Sequence, residues 1–190
     1  MDLSRFYELK PKIKTGDLLA VHTHGIIPTL IRVKTHSEFS HIGILLTLEE
    51  IPGEVFLVHS SKHAGGVCIV LASRFLHKLD GYAAIVEIDH DIARFVNPNY
   101  QSQIICEAMN QLGLDFDMNT LLREAFGLGF LARAVRLFFP KLHEAWVCSH
   151  ITAHVWHKAG LADYPRMNPQ ELLEQQICET LKYLTPDEGN

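Results

Sequence analysis

The most constraining feature of this chain is a succession of short apolar runs separated by turns too brief for a crossover. Residues 18–21, 42–48, 55–60, 67–71 and 82–88 each read as a strand. Glu49 to Glu54, with Pro52-Gly53 inside it, and Ala64-Gly65-Gly66 read as the turns between neighbours. A parallel pair needs a crossover of a dozen or more residues, so these strands are expected to pair antiparallel. A short helix, PTLIRVK (28–34), falls between the first two, with Pro28 in its first turn. After residue 97 the pattern becomes helical. Residues 98–112 carry Ile104, Ile105, Ala108, Met109 and Leu112 at helical spacing, closed by Gly113. Residues 119–139 are interrupted by Gly127 and Gly129 and stopped by Pro140, and residues 147–158 end at Gly160. A last helix opens at Asn168, an N-cap residue followed by Pro169. Strands first and helices later define an α+β domain: an antiparallel sheet of about five strands packed against helices.

A chain of 190 residues builds one domain with a real core. Residues 1–14 are polar and read as a loosely ordered N-terminal arm. A hydrophobic fraction of 47% with 21% charged residues is that of a soluble globular protein. The formal charge of −5 and the absence of a strongly basic stretch exclude nucleic acid as the expected partner. MDLSRFYELKPKIKTGD lacks the apolar core of a signal peptide, and no apolar run is long enough to span a bilayer. Cys68, Cys106, Cys148 and Cys178 are scattered without a C-x-x-C pair. A cytoplasmic protein with free thiols is expected. No cofactor is expected.

Two segments carry chemistry. In AWVCSHITAHVWHKAG, a helical wheel puts Cys148, Ile151, Thr152, Val155 and Ala159 on one apolar face and His150, His154 and His157 on another. Cys148 falls in the first turn, where unpaired N–H groups and the helix dipole favour a thiolate and can hold an oxyanion. A buried cysteine on an apolar face is also an ordinary core residue, so a base must be found for it. In HSEFSHIGILL, His41 stands at the mouth of a buried strand, half in the core and half in a cleft, where it could serve that thiol.

The ordered set TGDLLAV, THSEFSHIGILL, VFLVHSS…GGV, LGLDFD, WVCSHITAHVWHKAGL and MNPQELLEQ resembles the circularly permuted papain-fold cysteine hydrolases. These are relatives of the NlpC-type cell-wall peptidases and of the lecithin:retinol acyltransferase-like proteins. The resemblance covers roughly residues 15–175 and is most specific in FSHIGI and CSHITAHVW, with histidine before cysteine. It implies a permuted papain-like fold, Cys148 as nucleophile, His41 as general base, and a third polar residue on the next strand. That residue is His59 by its place before the Gly-Gly turn, with His63 as the competing choice. It would orient the His41 ring and hold its tautomer. The implied chemistry is acyl transfer from an amide or ester to Cys148, then hydrolysis or transfer to an acceptor. A small molecule, a peptide or an acylated compound would be the substrate. Asp17 and Asp117 read as capping or turn residues.

Two rivals stand beside this reading. His22 and His24 lie on one side of a strand, and His150 and His154 are four apart on a helix, a zinc spacing, although the glutamate of H-E-x-x-H is missing. A non-catalytic binding module on the same fold is the other rival. Finally, FGLGFLARAVRLFFPK (126–141) places Phe130, Ala134, Leu137 and Phe138 roughly on one helical face, with Arg133, Arg136 and Lys141 around them. It reads as a core helix or as an apolar cover that meets a lipid or acyl chain.

Overall fold

The computed structural model describes residues 3–61, 64–114, 148–164 and 166–184. Its elements in chain order are α1 (Ser4–Leu9), a 3-10 turn (Lys10–Lys12), β1 (Leu18–Thr23), α2 (Ile26–Thr35), β2 (His41–Thr47), β3 (Val55–Ser61) and β4 (Gly66–Leu71). There follow α3 (Ala72–His77), β5 (Gly81–Ile88), α4 (His90–Val96), α5 (Tyr100–Asn110), α6 (Cys148–Lys158), α7 (Pro169–Leu173) and β6 (Cys178–Tyr183). The strands form one sheet in the order β4-β3-β2-β1-β5-β6, with every neighbouring pair antiparallel. The α+β class read from the sequence is therefore the observed one.

The sheet is covered on both sides, and strand alternation decides which residue faces which helix. Leu18, Ala20, Ile42, Ile44, Leu46 and Val58 pack with Ile104 of α5 and with Ile151, Val155 and Trp156 of α6. Leu19, Val21, Leu45, Val55 and Leu57 pack with Phe6 and Leu9 of α1 and with Ala72 and Leu76 of α3. Covering both faces explains why Leu18 to Val21 are buried without alternation. Trp156 is fully buried, and its Nε1 donates to the Gly16 carbonyl at 3.2 Å. That bond pins α6 to the turn leading into β1.

Two expectations need correction. The N-terminal arm expected over residues 1–14 includes helix α1, with Phe6 wholly buried and Leu9 and Ile13 buried beside it. Three apolar side chains are enough to hold this otherwise polar segment against the sheet. The sheet has a sixth strand, β6, because the helix begun at Asn168 stops at Leu173. Its predicted start is right: Asn168 Oδ1 accepts from Glu171 N at 3.0 Å, and Glu171 Oε2 accepts from Asn168 N at 2.7 Å, a reciprocal capping box. The helix expected over 119–139, the cover expected over 126–141, Asp117 and His63 lie outside the described residues.

Candidate active site

β2 and β3 pair from Thr47↔Val55 to Ile44↔Val58, while β2 runs back to His41 and β3 on to Ser61. The site forms at this end, where the two strands part. His41 Nε2 lies 3.1 Å from His59 Nδ1, with the rings perpendicular. The Phe75 ring of α3 stacks on His41 at 6.2 Å and meets His59 edge-on at 5.0 Å. Gly43 makes this possible: a Cβ there would lie 2.6 Å from Leu57 Cδ1, 2.9 Å from the Val58 carbonyl and 3.0 Å from His59 Cβ. The glycine after the motif histidine thus makes room for the second histidine.

Burial takes water from both rings. It lowers the His41 pKa to about 4. It lowers that of His59 to about 3, helped by the neighbouring charge of a protonated His41 and opposed by a hydrogen bond to the Ser60 backbone. Both imidazoles are neutral at pH 7, so each carries one proton.

Cys148 is buried as the first residue of α6. Its sulfur receives backbone N–H groups from Ser149 and from Ile42, the residue that follows His41. Burial raises the thiol pKa, and these N–H groups and the charge of a nearby His150 pull it back only in part. The depressed pKa expected from helix position alone is therefore not what the buried environment gives. Alternation sends His41 and His59 to the α1/α3 side of the sheet, whereas α6 covers the other side. Cys148 and His41 are adjacent through the Ile42 backbone and share no hydrogen bond. His41 Nδ1 has no hydrogen-bond partner among the described residues.

Sequence reasoning missed one member of the cluster. Cys68 stands opposite His59 in the β3–β4 register, and its sulfur is 3.5 Å from His59 Nε2. The contact follows from the β3–β4 register, which the Ala64-Gly65-Gly66 turn signal alone does not fix. For the rival metal reading, the His22 and His24 rings lie 5.7 Å apart, edge to face. His22 Nδ1 is 3.0 Å from the Glu38 carbonyl, and its ring stacks on Tyr82 at 4.3 Å. His150 is buried on α6 rather than part of a solvated row, while His157 at the far end is exposed. Among the described residues, no three His, Cys, Asp or Glu side chains are grouped so as to hold a metal ion. Asp17, expected to cap a turn, accepts from Lys14 N at 2.8 Å and also from Ile88 N at 3.2 Å. A cleft of about 290 Å³ lined by Glu38, Phe39, Val86, Leu173, Cys178 and Leu181 includes none of His41, His59 and Cys148.

Fold and site together define an α+β protein with a cysteine and a histidine pair at a split strand end. No protein-family model matches the chain, and no curated protein matches it. Among solved structures, it is similar to that of the metalloprotein yiiX from Escherichia coli O157:H7, which carries the designation DUF1105. The TM-score is 0.52 at 14% sequence identity, over 90% of this chain and 95% of that one. At that identity the likeness concerns the fold. Among the described residues, no helix is long and apolar enough to cross a membrane.

Proposed function

We propose that this chain is a cysteine-dependent hydrolase or acyltransferase of amides or esters, built on a permuted papain-like fold, with Cys148 as nucleophile and His41 as base. The observation that carries this reading is the His41–His59 hydrogen bond beside Ile42, whose N–H meets the Cys148 sulfur. His41 Nδ1 takes the thiol proton as the sulfur attacks the acyl carbonyl. The oxyanion formed is held by N–H groups at the start of α6. Its collapse expels the amine or alcohol, which leaves with the proton from His41, and a thioester remains on Cys148. Water or an acceptor hydroxyl or amine then attacks the thioester with His41 again as base, and the thiol returns. His59 supports the His41 ring from the side away from the thiol. The raised thiol pKa means that the pair rests as neutral thiol and neutral imidazole, with proton transfer coupled to attack. Because His41 leaves β2 on the face opposite α6, the end of the strand must rearrange to bring the ring to the sulfur, and such catalytic contacts form or tighten when substrate binds.

The test is a panel of electrophilic acyl probes read by intact-protein and peptide mass spectrometry. One acyl group on Cys148, lost in Cys148→Ala and His41→Ala and retained in EDTA, is the expected result. Acylation spread over Cys68, Cys106 and Cys178, or none on Cys148, would sink the reading. The metalloprotein description of the similar structure makes the EDTA arm necessary: zinc that copurifies and is lost with activity would replace thiol catalysis by a metal mechanism.

A further inference from the structure

The cluster is a chain of three groups, Cys68 Sγ, then His59 through Nε2 and Nδ1, then His41 through Nε2, with His41 Nδ1 at the far end and the Ser60 backbone as a further partner of the His59 ring. Two neutral imidazoles joined nitrogen to nitrogen hold a single proton in that bond, so each tautomer dictates the other. If Cys68 donates its S–H to His59 Nε2, then His59 Nδ1–H donates to His41 Nε2. The His41 proton is then forced onto Nδ1, and that nitrogen cannot take a proton from a thiol. If the sulfur of Cys68 accepts instead, His59 carries its proton on Nε2 and His41 carries its own on Nε2. His41 Nδ1 is left with a bare lone pair. Only the second arrangement contains a base.

We propose that Cys68 is a positioning residue whose sulfur accepts the His59 Nε2–H, and that this contact sets both imidazoles in the tautomers that leave His41 Nδ1 unprotonated. The geometry favours it in three ways. His59 and Cys68 are register partners on β3 and β4, so the contact is fixed by the hairpin and not by a mobile loop. The Phe75 ring packs against both imidazoles, stacked on His41 at 6.2 Å and edge-on to His59 at 5.0 Å, and supports them in this arrangement. Among the described residues no carboxylate, the usual partner that fixes such a tautomer, hydrogen-bonds either imidazole, so a sulfur lone pair fills that place. The catalytic meaning of the device rests on the reading of Cys148 and His41 as nucleophile and base. The tautomers themselves do not.

The experiment is imidazole nitrogen NMR on protein with 15N-labelled histidine near pH 7, assigned with His41→Gln and His59→Gln. In the unaltered chain both residues are expected as Nε2–H tautomers. In Cys68→Ala the His41 Nδ1–H form should grow at the expense of Nε2–H, and Cys68→Ser, whose hydroxyl can still accept, should restore part of the original signal. Reaction of Cys148 with an acyl probe should fall about tenfold in Cys68→Ala and recover in Cys68→Ser, the usual size for loss of an orienting partner. Nδ1–H tautomers in the unaltered chain, or identical tautomers in Cys68→Ala, overturn the proposal. A silent Cys148 in the unaltered chain overturns the proposed function but leaves the tautomer result standing, so the two failures can be told apart.

Discussion

Two hydrogen-bonded trios centred on histidine stand among the described residues, and they differ in how they are closed. In the first, His90 lies between Asp17 Oδ1 at 2.9 Å and the Tyr100 hydroxyl at 2.6 Å. Asp17 is buried, and its two oxygens also take the backbone N–H groups of Lys14 and Ile88. Both His90 nitrogens and both carboxylate oxygens are engaged, and the trio ties β1 to β5, α4 and α5. In the second, His59 lies between Cys68 and His41, no carboxylate is present, and one nitrogen of His41 faces no described partner. A satisfied network rigidifies a fold, whereas a network with an open end can exchange a proton with something else. The same side chain is structural in one place and available in the other because of what terminates its chain of hydrogen bonds.

Substitutions in each trio should separate these roles. The largest effect is expected at the open site: Cys148→Ala should abolish the acyl-enzyme and His41→Ala should slow its formation below detection, about 10,000-fold, with little change in melting temperature, measured by mass spectrometry and calorimetry. At the closed site, Asp17→Ala leaves three donors without their acceptor and should cost about 3 kcal/mol of stability in denaturant titration, while acylation per folded molecule is kept. A catalytic loss in Asp17→Ala without a stability loss would erase the distinction between the trios.

Two smaller effects sharpen it. Gly43→Ala pushes a methyl group toward His59 Cβ and the Val58 carbonyl, and should cost about 2 kcal/mol while slowing acylation. A crystal structure of that variant should show His59 displaced. Protonation supplies the other. Folded His41 and His59 titrate at about 4 and about 3, below the usual histidine value of about 6.5. Between pH 6.5 and about 4 the unfolded chain binds protons that the folded site refuses, so these residues reduce stability as pH falls through that window. Melting temperatures of the unaltered chain and of His41→Gln/His59→Gln should therefore converge on acidification from pH 7, the double variant losing less. Curves that stay parallel from pH 7 to pH 5 would remove the neutral-pair description. The mildest change is His59→Asn, which keeps an acceptor for His41 and should retain about a tenth of the acylation rate.

Much of the fold was readable because its strands are buried in stretches that period-two and short-turn arguments detect. β2, β3, β4 and β5 each start or end within one residue of the expected place. What escaped was short or exposed. α3 and α4 have six and seven residues, although Asp89, which accepts from Asp91 N and Ile92 N, is a recognisable cap for α4. β6 has no buried residue over CETLKY, so it offers no buried alternation to read. Of the site, the elements bearing His41, His59 and Cys148 were legible. The Cys68 contact was not, since it depends on hairpin register. Nor was the direction of the Cys148 pKa, because helix position is local and burial is a property of the whole fold.

The last strand also sets an order in time. Ile88 pairs with Cys178 and the Leu184 N–H reaches the Ala83 carbonyl at 2.8 Å, with α5 and α6 lying between them in the chain. While the protein is being synthesised, β5 can join β1 long before β6 leaves the ribosome. Until then the outer edge of β5, from Ala83 to Val86, is an apolar strand with no neighbour on that side. Such a long-range closing step is slow, and an open edge is where nascent chains associate with one another or are held by chaperones. The glutamates and lysine in and beside β6, including the Lys182–Glu87 ion pair, leave a charged edge once the strand has docked. Docking of β6 thus replaces an apolar border of the sheet by one that carries charge.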